Sequence, residues 1–184
     1  LGDPRHLVYR ERVAKGEVVG PLIYTSGPSF NGNSVKTPDG AVAMVTGQKE
    51  AGYDLLKIHP GVPRDAFDAM AARAHELRIP FAGHVPEAVG LMRALEAKYR
   101  SIDHLDGYVE ALVPNGSGSQ IFGVNLVARA DESRIPALVK ATRAAGTWQV
   151  PTEILLVNWL NDEDPQVMAK RPEMKYVAPE ILGK

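Results

Sequence analysis

The chain has 184 residues, 45% of them hydrophobic and 23% charged, so it can bury a core and lies outside the composition of disordered segments. Its 21 basic residues nearly balance 22 acidic ones, and a net charge of -1 leaves no electrostatic footprint for nucleic acid or an anionic membrane. Cysteine is absent, which excludes disulfides, thiolate metal sites and cysteine nucleophiles and leaves nitrogen and oxygen as metal donors.

Residues 4 to 15 predict a helix ended by Gly16, and PLIYTSG (21–27) a strand that breaks at Gly27 and Pro28. FNGNSVKTPDG has the Gly, Asn and Pro content of a surface loop, after which AVAMVTGQKEAG suits a helix and YDLLKIH (53–59) a strand. PRDAFDAMAARAHELR places Phe67, Met70, Ala71, Ala74 and Leu77 at helical spacing, the apolar face of an amphipathic helix. IPFAGHV (79–85) reads as strand, EAVGLMRALEAKY as helix and RSIDHL as strand. Residues 113 to 131 are loop-like. ESRIPALVKATRAAG then predicts a helix closing at Gly146, followed by the strand TWQVPT (147–152). The segment 158–184 is polar and proline-containing, with weak helical pieces around ILLVNWL and PQVMAKR. A single domain over 1–184 is expected. No apolar run reaches the length of a membrane span, and the charged N-terminus is unlike a signal peptide, so a soluble cytoplasmic or periplasmic protein with a small-molecule or short-peptide partner is expected. The lack of an initial Met suggests a longer parent.

Strands alternating with helices predict βαβ units and a parallel sheet. Five predicted strands do not close an eight-stranded barrel, and a doubly wound sheet is the alternative. Neither GxGxxG nor GxxxxGK[ST] occurs, which weakens that alternative. Within YDLLKIH, Lys57 interrupts an apolar run, and an ammonium in a strand buried on both faces costs several kcal/mol unless something pairs with it. Lys57, His84 and His104 lie near the ends of three successive predicted strands, 27 and then 20 residues apart, each about one βα unit. Such spacing brings their side chains to one rim, where barrel enzymes carry their chemistry. His59 shares the Lys57 face by strand alternation, unless Pro60 already makes it a loop residue. His6 and His75 fall on helical stretches and are expected in solvent.

The stretches VAKGEVVGPLIYTSG, GYDLLKIH, IPFAGHVPEAV, SIDHLDGY, GTWQVPT and PEMKYVAPE, in that order, resemble the middle of the metal-dependent amidohydrolase superfamily, in its imidazolonepropionase-like and prolidase-like branch. The pair GHVP and SIDHLDGY is the most specific part. This resemblance implies a (β/α)8 barrel of which about strands 3 to 7 are present, with one or two divalent metals, usually zinc, at its C-terminal rim. It further implies that Lys57 is the lysine carbamylated by carbon dioxide to bridge two metals, with His84 and His104 as the next ligands. The reaction implied is hydrolysis of an amide, peptide or cyclic-amide C–N bond by a metal-activated water. A carbamate also accounts for the buried lysine, because it turns a cation into an anionic oxygen donor.

The sequence departs from that pattern at two places. No two histidines are separated by one residue, so the first-strand His-x-His pair is missing, and Asp162 and Asp164 are poor candidates for the eighth-strand aspartate. An incompetent fragment that binds metal weakly or self-associates is therefore the second hypothesis. A Schiff-base aldolase using Lys57 is the third, ranked lower because it leaves His84 and His104 unexplained. Tyr108, just after DHLD, is a weak candidate for substrate contact. The loops FNGNSVKTPDG and ALVPNGSGSQIFG carry no charged pair that selects a substrate.

Overall fold

The computed structural model describes residues 2–114, 121–159 and 163–182. Residues 115–120 of the loop-like stretch 113–131, and Asp162, thus lie outside the described residues. The chain divides into two compact units, Leu1–Pro151 and Thr152–Lys184.

The first unit is built on a parallel sheet of β1 (Leu56–Ile58), β2 (Phe81–Gly83), β3 (Ser101–Asp103) and β4 (Trp148–Val150), paired in sequence order. Helices alternate with these strands: α1 (Arg5–Ala14), α2 (Pro38–Glu50), α3 (Arg64–Glu76), α4 (Leu91–Glu96), α5 (Tyr108–Leu112) and α6 (Ile135–Ala145). The alternation matches the expected βα pattern. Of the predicted strand 21–27 only Ser26 pairs, in a single parallel bridge with Leu55, and a second bridge, Phe30 with Ile58, falls just beyond it, so among the described residues four strands form the sheet rather than five. Gly27 and Pro28 lie between the two bridges and keep the segment from running as a regular ladder. The stretch expected as loop contains a 3-10 segment, Ile121–Arg129.

The core lies between the sheet and its helices. Leu56, Ile58 and Ile102 are fully buried on that side, and α3 presents Phe67, Met70, Ala71 and Ala74 to them with the i, i+3, i+4, i+7 spacing its sequence predicts. Phe67, Phe81 and Tyr99 form an aromatic cluster with ring centroids 5.1–6.3 Å apart. Each such ring stabilises the fold by about 1.5–3 kcal/mol through burial. α2 begins at an N-cap threonine, Thr37, whose hydroxyl accepts from Gly40 N at 3.2 Å, with Pro38 in the first turn. α6 ends, as predicted, at Gly146 in a left-handed conformation. His6 is half-buried, its Nδ1 3.1 Å from Thr25 Oγ1, whereas His75 is exposed as expected, although its Nε2 lies 3.0 Å from the Ala97 carbonyl and its ring packs against Phe81.

The second unit holds α7 (Glu153–Trp159), α8 (Pro165–Met168) and α9 (Pro179–Leu182) with a 3-10 turn at Pro172–Tyr176. Asp164, a poor candidate above for the eighth-strand aspartate, caps α8 by accepting from Gln166 N at 2.8 Å. Among the described residues, no helix is long and apolar enough to cross a membrane.

Candidate metal centre

Strand alternation sorts the sheet into two faces. Leu56, Ile58 and Ile102 turn toward the helices, so Lys57 and Asp103 turn the other way. Their side chains are 11% and 19% exposed, and Lys57 Nζ donates to Asp103 Oδ2. To do so the lysine crosses β2, where its register partner is the small Ala82. The stem then passes Gly83: a Cβ built there would meet Lys57 Cδ at 3.1 Å and the Ile58 carbonyl oxygen at 2.3 Å. With φ at +126° as well, this position accommodates only glycine without distortion. A buried ammonium is thus made tolerable by a carboxylate two strands away.

His84 follows Gly83 directly. Its backbone is held twice, through N–H donation to the Ile58 carbonyl at 3.0 Å and through its own carbonyl, which accepts from Tyr99 OH at 3.0 Å. Burial, reinforced by the Asp106 and Asp103 carboxylates, pushes the Tyr99 phenol far above its ordinary range, so it serves as a donor. The ring Nδ1 of His84 lies 2.8 Å from Asp106 Oδ2, both side chains being largely buried.

His104 comes immediately after β3, with its N–H donating to the Val150 carbonyl at 2.8 Å. It and Leu105 both adopt left-handed conformations, φ +58° and +59°, unusual for consecutive non-glycine residues and costing on the order of 1–3 kcal/mol each. The consequence is geometric. Regular alternation would put His104 on the face opposite Asp103, whereas the left-handed turn brings the two together. Donor atoms of His84, Asp103 and His104 all lie within 4.8 Å of one another, the one such group with metal-ligating chemistry among the described residues. The His84 and His104 rings are 4.9 Å apart, and His59 meets His84 edge-on at 5.1 Å. Burial, then the nearby His84 and Lys57, holds the His59 imidazole below its ordinary value, so this ring is neutral at pH 7.

Lys57, His84 and His104, singled out from the sequence, thus converge at one rim of the sheet with His59 beside them. Tyr108 does not join them. Its hydroxyl is 2.7 Å from Thr142 Oγ1 and accepts from Gln149 Nε2 at 2.9 Å, tying α5 to α6 and β4. Asp103 and Asp106 are the residues that sequence reading missed. The signal for Asp103 was available, because alternation from Ile102 places it on the Lys57 face; nothing local marked Asp106. His84 and Asp106 also line an open cleft of about 780 Å³, within the range of small-molecule sites, with Val85, Pro86 and Leu91 along its walls.

No family model and no curated protein matches the chain. Among solved structures it is similar to a bottromycin amidohydrolase, at 25% identity and a TM-score of 0.61, over 94% of this chain and 40% of that one. It is also similar to a Xaa-Pro dipeptidase solved with methionine in its active site, at 16% identity and a TM-score of 0.57, over 99% of this chain and 46% of that one. A third similar structure, of an uncharacterized protein, has 19% identity and a TM-score of 0.52, over 96% of this chain and 44% of its own. The chain therefore spans less than half the length of these solved chains. The fold is one found in amidohydrolase- and prolidase-like proteins.

Proposed function

We propose that this chain carries part of the catalytic barrel of a metal-dependent hydrolase acting on amide, peptide or cyclic-amide C–N bonds. The observation that carries this reading is the convergence of His84, Asp103 and His104, with Lys57 against Asp103, at one rim of a parallel sheet. Two imidazoles and a carboxylate form a nitrogen and oxygen set suited to zinc, so the residues present fit a divalent ion. His84 and His104 would hold it, Asp103 would supply an oxygen, and Lys57, once carbamylated, would offer two more. A bound ion supplies Lewis-acid polarisation of the scissile carbonyl and lowers the pKa of water. In the metal-free chain the Lys57 ammonium balances the Asp103 carboxylate, a pairing that carbamylation would end by handing that role to the ion, and the cleft beside His84 is open to a substrate.

Similarity to a bottromycin amidohydrolase and a Xaa-Pro dipeptidase supports a small amide or short peptide as the substrate class. The test is zinc and cobalt content after matched dialysis, together with hydrolysis of Xaa-Pro dipeptides. Metal uptake with turnover is the expected result for a protein carrying a complete donor set, and failure to take up either metal would remove the reading. A second reading, metal binding without turnover by these 184 residues alone, is favoured by the absence of any His-x-His pair from them. It predicts metal uptake and no hydrolysis.

A further inference from the structure

We infer that Asp106 is a positioning residue of this centre: its carboxylate fixes the ring of His84 so that Nε2 is the nitrogen offered toward Asp103 and His104. The inference rests on the metal reading above and extends it to a residue outside the donor set. A carboxylate oxygen accepts, so the 2.8 Å contact between Asp106 Oδ2 and His84 Nδ1 matches the tautomer with its hydrogen on Nδ1. In the neutral ring that leaves the Nε2 lone pair as the free donor.

The surroundings explain why the contact holds one orientation. The His84 backbone is clamped on both sides, by Ile58 through its N–H and by Tyr99 through its carbonyl, so ring rotation is the remaining freedom, and Asp106 removes it. Asp106 itself sits in the turn that Gly107, at φ +81°, closes before α5, and its N–H donates to the Asp103 carbonyl at 3.0 Å. The same short turn therefore carries a proposed donor, Asp103, a second, His104, and the carboxylate that orients the third. Partners of this kind raise ligand basicity and fix the tautomer, and their loss typically weakens metal binding by about 10- to 100-fold.

The experiment records the ring nitrogen shifts of His84 in the metal-free full chain, at a pH where neutral imidazole dominates. Wild type and Asp106→Asn, whose amide oxygen can still accept, are expected to carry the hydrogen on Nδ1, and Asp106→Ala to move it to Nε2. Cobalt titration should then show Asp106→Ala weakened about 10- to 100-fold, with Asp106→Asn in between. An Nε2–H tautomer in the wild type would overturn the inference without recourse to any variant. So would a zinc-loaded chain in which Nε2 keeps its hydrogen, because the ion would then occupy Nδ1 in place of Asp106. Should no form bind cobalt, the metal reading fails by itself, while the tautomer measurement still decides whether Asp106 orients His84.

Discussion

Lys57 and Asp103 form an ion pair across 46 residues of sequence, the lysine stem lying over Gly83 on the strand between them. The pair joins the first and third strands on the face away from the helices, so the charge that looks misplaced in YDLLKIH is the sheet's cross-strand link.

Removing the cation leaves a largely buried carboxylate without its partner. Breaking a buried pair costs about 3–5 kcal/mol, and residual exposure of both side chains puts Lys57→Ala near the lower end, about 3 kcal/mol. Urea unfolding measures this. The double variant Lys57→Met/Asp103→Leu should recover most of the loss, since it buries no charge. In metal uptake, acetate or propionate should partly rescue Lys57→Ala if the missing part is a carbamate oxygen pair; rescue by amines alone would favour the Schiff-base chemistry.

His84→Ala and His104→Ala should each lower bound zinc or cobalt, by elemental analysis after matched dialysis, while far-ultraviolet circular dichroism stays unchanged. Asp103→Asn is expected to behave likewise. Equal metal content in wild type and all three variants would mean that the convergence of these groups is structural only.

Gly83→Ala forces a methyl group against the Ile58 carbonyl and the Lys57 stem at a backbone angle that L residues rarely adopt. The expected loss exceeds about 1 kcal/mol. A thermal melt at or above the wild-type midpoint would contradict the tight approach of β1 and β2.

Burial acts to raise the Asp68 carboxyl, but donation from Arg64 and Arg93 outweighs it and holds the group below its ordinary 3.8. A carboxyl depressed in the folded state contributes stability above its unfolded value, and that contribution disappears as pH falls through the folded value. Asp68→Asn should therefore melt lower than wild type at neutral pH, with the difference vanishing well below pH 3.8. Because the side chain is 39% exposed, the effect stays under about 1 kcal/mol. A difference that persists at low pH would point to packing rather than charge.

The outer strand β4 exposes Trp148 at 69% and Val150 at 46%. An apolar edge strand is a pairing template, so the isolated chain should self-associate in light scattering and Trp148→Lys should reduce it. A monodisperse monomer for the wild-type chain would count against this.

Lys57, His84 and His104 were legible from the sequence because parallel βα units deliver every strand to the same rim, so a spacing of one unit is enough to predict convergence. The amphipathic face of α3 was legible for a similar reason, its burial following from a local period of 3.6 residues. The five-strand count was not, because Ser26 and Phe30 have strand-forming neighbours but Gly27 and Pro28 between them, and only the tertiary pairing with Leu55 and Ile58 shows how little of that segment joins the ladder. The hydrogen bonds of the Tyr108 hydroxyl were not legible either, because its partners Thr142 and Gln149 come more than thirty residues later and only folding brings them to it. The sequence by itself determined which side chains reach the rim; the tertiary structure decided which of them touch. That division has a physical cause: strand order and spacing are written in local periodicity, whereas the union of Asp103 with His104, and of Asp106 with His84, depends on two left-handed residues, His104 and Leu105, whose conformation is imposed by the surrounding fold rather than by their own preference.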